Sequence, residues 1–283
     1  MSRARSAFTG IGPVRRALQR GVRYGVLPPS VWRRIPVSGP IDVALGFGIS
    51  FLYVSSEYDA IGRRLFFGGL EAWEGADVLL FANLARRSRT VVDVGAHTGV
   101  YALAACAASA DARVVALEPL EAPRMQLRAA LLHNGWETRC EVRIEAAWDE
   151  AGVAKLFIPE HPFPSEASLV NTASRSEDVE TLRLDSLDCG PVDLVKMDVE
   201  CGEPRVLAGM TRWLDDSPPI VLLEVLDAQV GQAIQDALAP YGYRYFRTSD
   251  GDVLELPRLE IDVDGGSRNV FAVPPDKLDW LRV

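Results

Sequence analysis

Lysine is nearly missing from this chain. Among its 30 basic residues only Lys155, Lys196 and Lys277 are lysines, and the rest are arginines. That bias fits a GC-rich bacterial genome. Also missing is an apolar run long enough to cross a bilayer. The longest, residues 43–54, falls short of the roughly 20 residues a spanning helix needs, and its glycines and β-branched residues suit a hairpin. The four cysteines, Cys106, Cys140, Cys189 and Cys201, form no C-x-x-C pair. This argues against a structural zinc or a redox pair and for reduced thiols in a cytoplasmic protein. No acid occurs in the first 40 residues, where Arg3, Arg5, Arg15, Arg16, Arg20, Arg23, Arg33 and Arg34 stand. Such a segment suits a solvated helix over residues 14–24, an organelle targeting peptide or a basic helix lying on anionic lipid. No apolar stretch follows it as in a secretory signal. With a net charge of −9 and eight positive charges here, the remainder carries −17. A body that acidic repels nucleic acid. The phosphate-cradling pattern G-x-G-x-x-G is absent as well, which speaks against a nicotinamide dinucleotide.

What is present is organised around residues 90–101. The run Thr90-Val91-Val92-Asp93-Val94 reads as a strand ending in an acid. Gly95-Ala96-His97-Thr98-Gly99 reads as a tight turn against which a ligand lies, and an alanine-rich helix over 101–110 follows. A second strand, 114–117, runs into Glu118 and Pro119, about 20 residues beyond Gly99, where an acid meets ribose hydroxyls in dinucleotide folds. An acid before the turn, G-x-x-x-G within it and an acid closing the second strand suit S-adenosylmethionine, whose ammonium group welcomes Asp93.

The βα alternation continues along the chain. A basic extension (1–40) and a pre-domain (41–89) precede it. The pre-domain reads as the hairpin, the segment 59–69 and a helix over 71–86 with Ala72, Ala76, Leu79, Leu80 and Leu84 inward. Next come a helix over 121–133 with Met125, Ala129 and Leu132 on its buried face, and a strand over 140–146. Residues 147–184 break the rhythm with two short strands, 154–158 and 179–184, that read as an antiparallel excursion. Strands 192–197 and 220–223 resume the sheet and end at Asp198 and Glu224. A helix from Pro204 with Val206, Leu207, Met210 and Leu214 inward, a helix over 228–239 and strands 243–248 and 269–273 complete it. A single acid at a strand end is usually a cap or solvated. Four of them, Asp93, Glu118, Asp198 and Glu224, at the carboxyl rim of one parallel sheet mark a ligand site.

The blocks Val92-Asp93-Val94-Gly95-Ala96-His97-Thr98-Gly99-Val100-Tyr101, Leu117-Glu118-Pro119, Leu184-Asp185-Ser186-Leu187, residues 192–209 around Lys196-Met197-Asp198-Val199-Glu200, and residues 219–225 ending at Glu224-Val225 resemble FkbM-family methyltransferases. The resemblance spans residues 59–273, with Cys201 standing where that family usually has glycine. It implies a Rossmann-like class I methyltransferase fold, a doubly wound and mostly parallel seven-stranded sheet. It also implies transfer of a methyl group from S-adenosylmethionine to a hydroxyl of a sugar, glycoconjugate or polyketide-like metabolite. Asp93, Gly95, Ala96, His97, Thr98, Gly99, Glu118, Pro119 and Ala147 are then expected to hold the cofactor. Asp198 is expected to take the proton of the alcohol, with Glu200, Glu224 and the loop residue His161 as further candidates. Magnesium held by Asp198, Glu224 and Asp227 would serve the same end, though nothing in the sequence requires a metal. The expected partner is a small-molecule or glycan hydroxyl acceptor, and a homodimer is compatible with the sequence. A catalytically inactive binding protein or a nicotinamide-dependent oxidoreductase are the alternatives.

Overall fold

The computed structural model describes residues 12–160, 167–249, 251–259 and 268–282. Helices α1 (Gly12–Arg23) and α2 (Pro29–Trp32) lead into a hairpin, β1 (Gly39–Gly46) and β2 (Ile49–Ser55), whose inward residues alternate as period-two strands require. Then come α3 (Ala60–Gly68) and α4 (Gly75–Ala85). Strand β3 (Thr90–Val94) opens the main sheet and is followed by α5 (Val100–Ala108), β4 (Arg113–Leu117), α6 (Glu121–Asn134) and β5 (Cys140–Arg143). A smaller sheet of β6 (Ala146–Ala147), β7 (Gly152–Ile158) and β8 (Arg175–Leu182) interrupts, with β7 antiparallel to β8 as expected for the excursion. The chain returns through β9 (Leu194–Met197), α7 (Glu203–Ala208), α8 (Thr211–Asp216), β10 (Ile220–Glu224) and α9 (Ala228–Leu238). It closes with β11 (Arg244–Ser249), β12 (Asp252–Leu256) and β13 (Asn269–Val273).

The main sheet has the order β12-β11-β13-β10-β9-β3-β4-β5. Strand β3 pairs in parallel with β4 on one side and β9 on the other, so the direction of winding reverses at its carboxyl end. Such a reversal opens the crevice in which doubly wound sheets bind ligands. Eight strands form the sheet where seven are expected, because the edge strand β12 folds back antiparallel on β11. Its residues, Asp252 to Leu256, are largely exposed and carry no run of buried apolar positions, so no periodic signal announces it.

Both faces of the central strands are buried, as parallel sheets demand. Val91, Val114, Leu194, Leu222 and Phe271 enter one core with α4, α5, α6 and the hairpin. Their neighbours Val92, Val115, Val195, Leu223 and Val270 enter a second core with α7, α8 and α9. Helix α1 lays Leu18 and Val22 against the first core, and Gln19 Nε2 donates to the Phe66 carbonyl at 2.7 Å.

Three sequence expectations are corrected here. On α6, Met125 and Leu132 are exposed, and the buried face is Pro123, Gln126, Leu127, Ala130 and Leu131. On the helix expected over 71–86, Ala72 and Ala76 are exposed and so is Leu79, while Leu80 and Leu84 are inward with Val78 and Phe81. The helix expected from Pro204 is two short ones. Asp185 accepts the amides of Arg212 and Trp213 at 3.1 and 3.4 Å and so starts α8 separately.

Candidate active site

The turn between β3 and α5 is held by the protein's own backbone. The amides of Gly95 and Ala96 both donate to the Leu117 carbonyl, at 3.0 and 2.9 Å. Gly95 has φ +73°, and a Cβ there would lie 2.0 Å from the Asp198 carbonyl oxygen. Gly99 has φ +82°, and a Cβ there would lie 2.2 Å from Leu127 Cδ1. Both positions require glycine. The tight turn expected from sequence is present, and the atoms that enforce glycine in it belong to the protein, while Gly95 also lines a cavity.

Glu118 follows β4 and is buried. Its Oε2 accepts the His97 amide and its Oε1 the Leu120 amide, each at 2.8 Å. One carboxylate is thereby locked in orientation by two backbone donors, and each oxygen keeps lone-pair capacity for a further hydroxyl. Burial holds this carboxyl up at about 7, against the lowering effect of those two amides. Asp93, at the end of β3, accepts the Ala102 amide at 2.9 Å and is likewise raised by burial to about 7.

Across the crevice, β9 delivers Lys196 and Asp198, and β10 delivers Glu224. Lys196 is buried, with its Nζ 3.5 Å from Asp198 Oδ2 and 5.3 Å from the centre of the Tyr101 ring. Burial alone would lower its pKa, but Asp198, Glu74, Glu224 and Asp93 together outweigh that and raise it. Burial first, and Asp198 second, push the Glu224 carboxyl to about 8. Glu74 accepts the Tyr101 hydroxyl at 2.7 Å, and burial raises it too. The Glu200 backbone is left-handed at φ +53° and Cys201 at +74°. A glycine is therefore the easier residue at 201. Ser168 Oγ donates to the Glu200 carbonyl at 2.7 Å and ties the excursion to this loop.

Asp93, Glu118, Lys196, Asp198, Glu224, Glu74 and Glu200 open on one cavity of about 380 Å³, within the range of small-molecule sites. Asp93, Gly95, Ala96, His97, Thr98, Glu118, Pro119, Ala147, Asp198, Glu200 and Glu224 line it. Gly99 does not; it serves the packing of α5 on α6. His161 lies outside the described residues. Carboxylate oxygens of Asp198, Glu200 and Glu224 lie within 4.8 Å of one another, so these three could face a cation together. Asp227, expected among such ligands, instead caps α9 by accepting the amides of Gln229 and Val230.

Sequence reasoning missed Lys196, Glu74 and Tyr101 as site residues, all of which line the cavity; the segment Ala146-Ala147-Trp148, expected from sequence to wall the adenine, lines it too. Lys196 had a usable signal. A lysine inside the buried strand Leu194–Met197 of a lysine-poor chain has to be paired with something. Glu74 had none.

The profile of the methyltransferase FkbM domain matches residues 93–245. The chain belongs to the FkbM methyltransferase family. No curated protein matches it. Among solved structures it is similar to a methyltransferase FkbM from Methylobacillus flagellatus KT (14% identity, TM-score 0.48), with 78% of this chain and 56% of that one covered. This chain thus spans little more than half of that relative. It is also similar to a SAM-dependent methyltransferase from Agrobacterium tumefaciens (14%, TM-score 0.45, covering 83% and 69%). A third is an O-methyltransferase from Bacillus cereus in complex with SAH (16%, TM-score 0.41, covering 71% and 80%). Among the described residues no helix is long and apolar enough to cross a membrane.

Proposed function

We propose that this FkbM-family methyltransferase binds S-adenosylmethionine along the β3–β4 edge of the cavity. It passes the methyl group to a hydroxyl of a sugar, glycoconjugate or polyketide-like acceptor held over Asp198, Glu200 and Glu224. The observation that carries the reading is Glu118, a buried carboxylate fixed by the amides of His97 and Leu120 on the cavity wall. A carboxylate held in this way is ready to accept the two hydroxyls of one ribose. Asp93, at the same edge, suits the ammonium end of the cofactor. The backbone of Gly95 and Ala96 runs beside it, with His97, Thr98 and Pro119 as neighbouring lining, and Ala147 and Trp148 wall the adenine.

Bound there, the cofactor supplies a methyl group made electrophilic by its sulfonium. The chain's own task is alignment and proton removal. Asp198 faces the crevice from the end of β9, beside β3, and takes the proton as the acceptor O–H bond breaks. The methyl group would be supplied to that oxygen with the bonding pair left on sulfur, so what falls to Asp198 is to hold the proton. Glu200 and Glu224 flank Asp198 and hold the acceptor's other hydroxyls.

Calorimetric titration tests the reading. S-adenosylmethionine and its demethylated product should bind and NAD should not. Glu118→Ala should weaken binding by about 2–4 kcal/mol, the worth of one or two charge-assisted hydrogen bonds. Unchanged affinity in that variant removes Glu118 from the ribose site, and binding of NAD instead would favour a nicotinamide-dependent oxidoreductase.

A further inference from the structure

Lys196 sits at the centre of the acid cluster in a state that neither packing nor strand formation explains. Its side chain is 3% exposed, and among the described residues its Nζ finds no hydrogen-bond partner. The nearest charge is Asp198 Oδ2 at 3.5 Å, and the Tyr101 ring lies under it at 5.3 Å. An ammonium has three N–H groups to satisfy, and a buried one left without partners is costly. The place where those groups open is the cavity, which Lys196 lines together with Asp198, Glu200 and Glu224. Three carboxylates whose oxygens lie within 4.8 Å of one another are the donor set of a divalent cation site. Here a positive charge already stands against that set. The groups facing Lys196 from the packed elements are Glu74 at the start of α4, Asp93 on β3, Asp198 after β9 and Glu224 on β10, all acids.

We propose that Lys196 is the resident cation of the acceptor site, with its ammonium doing among Asp198, Glu200 and Glu224 what a divalent metal does elsewhere. On the methyl-transfer reading, which this clause rests on, its unbonded N–H groups then receive the acceptor oxygen as the proton leaves for Asp198. A bound divalent ion would sit within a few ångströms of the ammonium in a half-buried site, where like charges repel more than they do in open water. The site should therefore be blind to metals until the lysine charge is removed.

The test uses manganese alone, titrated calorimetrically into the full-length protein. The wild type should show no site tighter than about 1 mM, the weak end of carboxylate sites. Lys196→Met keeps length and apolar stem but removes the charge. It should bind manganese at least about tenfold more tightly, with a matching rise in melting temperature. Lys196→Arg keeps the charge and should stay blind. Micromolar binding by the wild type or by Lys196→Arg overturns the proposal, whether or not Lys196→Met folds. Lack of binding by a folded Lys196→Met also overturns it, because the ammonium is then not what keeps metal out. Recovery of the fold by Lys196→Met only in manganese supports it. No cofactor or acceptor enters the titration, so its outcome is separate from a failure of S-adenosylmethionine to bind.

Discussion

Removing one hydroxyl from Tyr53 should unsettle both the fold and the cofactor turn. Tyr53 lies on the hairpin strand β2 and is fully buried. Its hydroxyl donates to Asp59 Oδ2 at 2.6 Å, stands 2.7 Å from Thr98 Oγ1 and accepts from Gln126 Nε2 at 3.1 Å. Asp59 in turn accepts Gln126 Nε2 at 2.6 Å and the Gly62 amide at 2.9 Å, which starts α3. Four segments thus meet at one oxygen: the hairpin, α3, the turn carrying Thr98, and α6. Tyr53→Phe takes away a hydrogen bond to a carboxyl group, about 1.5–3 kcal/mol, and leaves Thr98 with only a long contact to His97 Nδ1 at 3.4 Å. A further fraction of a kcal/mol goes with the small void. The expected loss is about 2–4 kcal/mol, read as a lower urea midpoint at unchanged slope. Affinity for S-adenosylmethionine should fall several-fold, since Thr98 belongs to the turn proposed to hold it. A loss under about 0.5 kcal/mol would refute the reasoning, because removing an oxygen shared by three buried hydrogen bonds leaves its partners short of one.

Other consequences concern pH, backbone strain and the catalytic rim. Burial raises Asp93, Glu118 and Glu203 to about 7 and Glu224 to about 8. Carboxyls raised in the folded state stabilise it below their unfolded values, and that contribution is lost as pH rises through 7 and 8. The cofactor-free protein should therefore melt lower at pH 8 than at pH 6, with each group contributing up to roughly 1.4 kcal/mol per pH unit; a flat or rising melting temperature would count against it. Cys201→Gly relieves a left-handed residue and should stabilise by up to about 1 kcal/mol, net of the extra chain entropy of glycine; denaturation showing a clear loss would mean that the thiol holds the loop. Asp198→Asn should cut methyl transfer to an accepted hydroxyl substrate by roughly 10²–10⁴ with cofactor affinity little changed, and near-normal turnover would shift the base to Glu200 or His161.

The parts of this fold that sequence reveals are those written in local periodicity. Strands β3, β9, β10 and β13 are largely apolar and buried on both faces, and acids that line the cavity mark the carboxyl ends of β3, β9 and β10. Helix α6 shows where that method fails. Met125 and Leu132 are apolar yet exposed, while Gln126 is polar yet buried, because its amide is spent on Asp59 and Tyr53. A buried amide nitrogen paired with a carboxylate 67 residues away leaves no mark on a helical wheel. Glu74 is of the same kind: it is placed by a left-handed turn and meets Tyr101 from another element. Lys196 was visible as a charge in a buried strand, but only the folded arrangement shows how many carboxyls surround it.

The glycine turn carries a different lesson. In sequence, Gly95 reads as a place kept bare for a ligand. In the fold, the space a side chain would need is filled by the carbonyl of Asp198, 2.0 Å from where a Cβ would stand. The turn proposed to hold the cofactor and the strand end carrying the proposed base are therefore packed backbone to backbone, and the Asp198 amide donates to the Val94 carbonyl at 3.1 Å just before the turn begins. Two sites that chemistry must align to a fraction of an ångström are aligned by a contact that excludes any side chain. The same glycine that would let a cofactor approach also fixes the distance between the residues proposed to hold the methyl donor and the residue proposed to activate its acceptor.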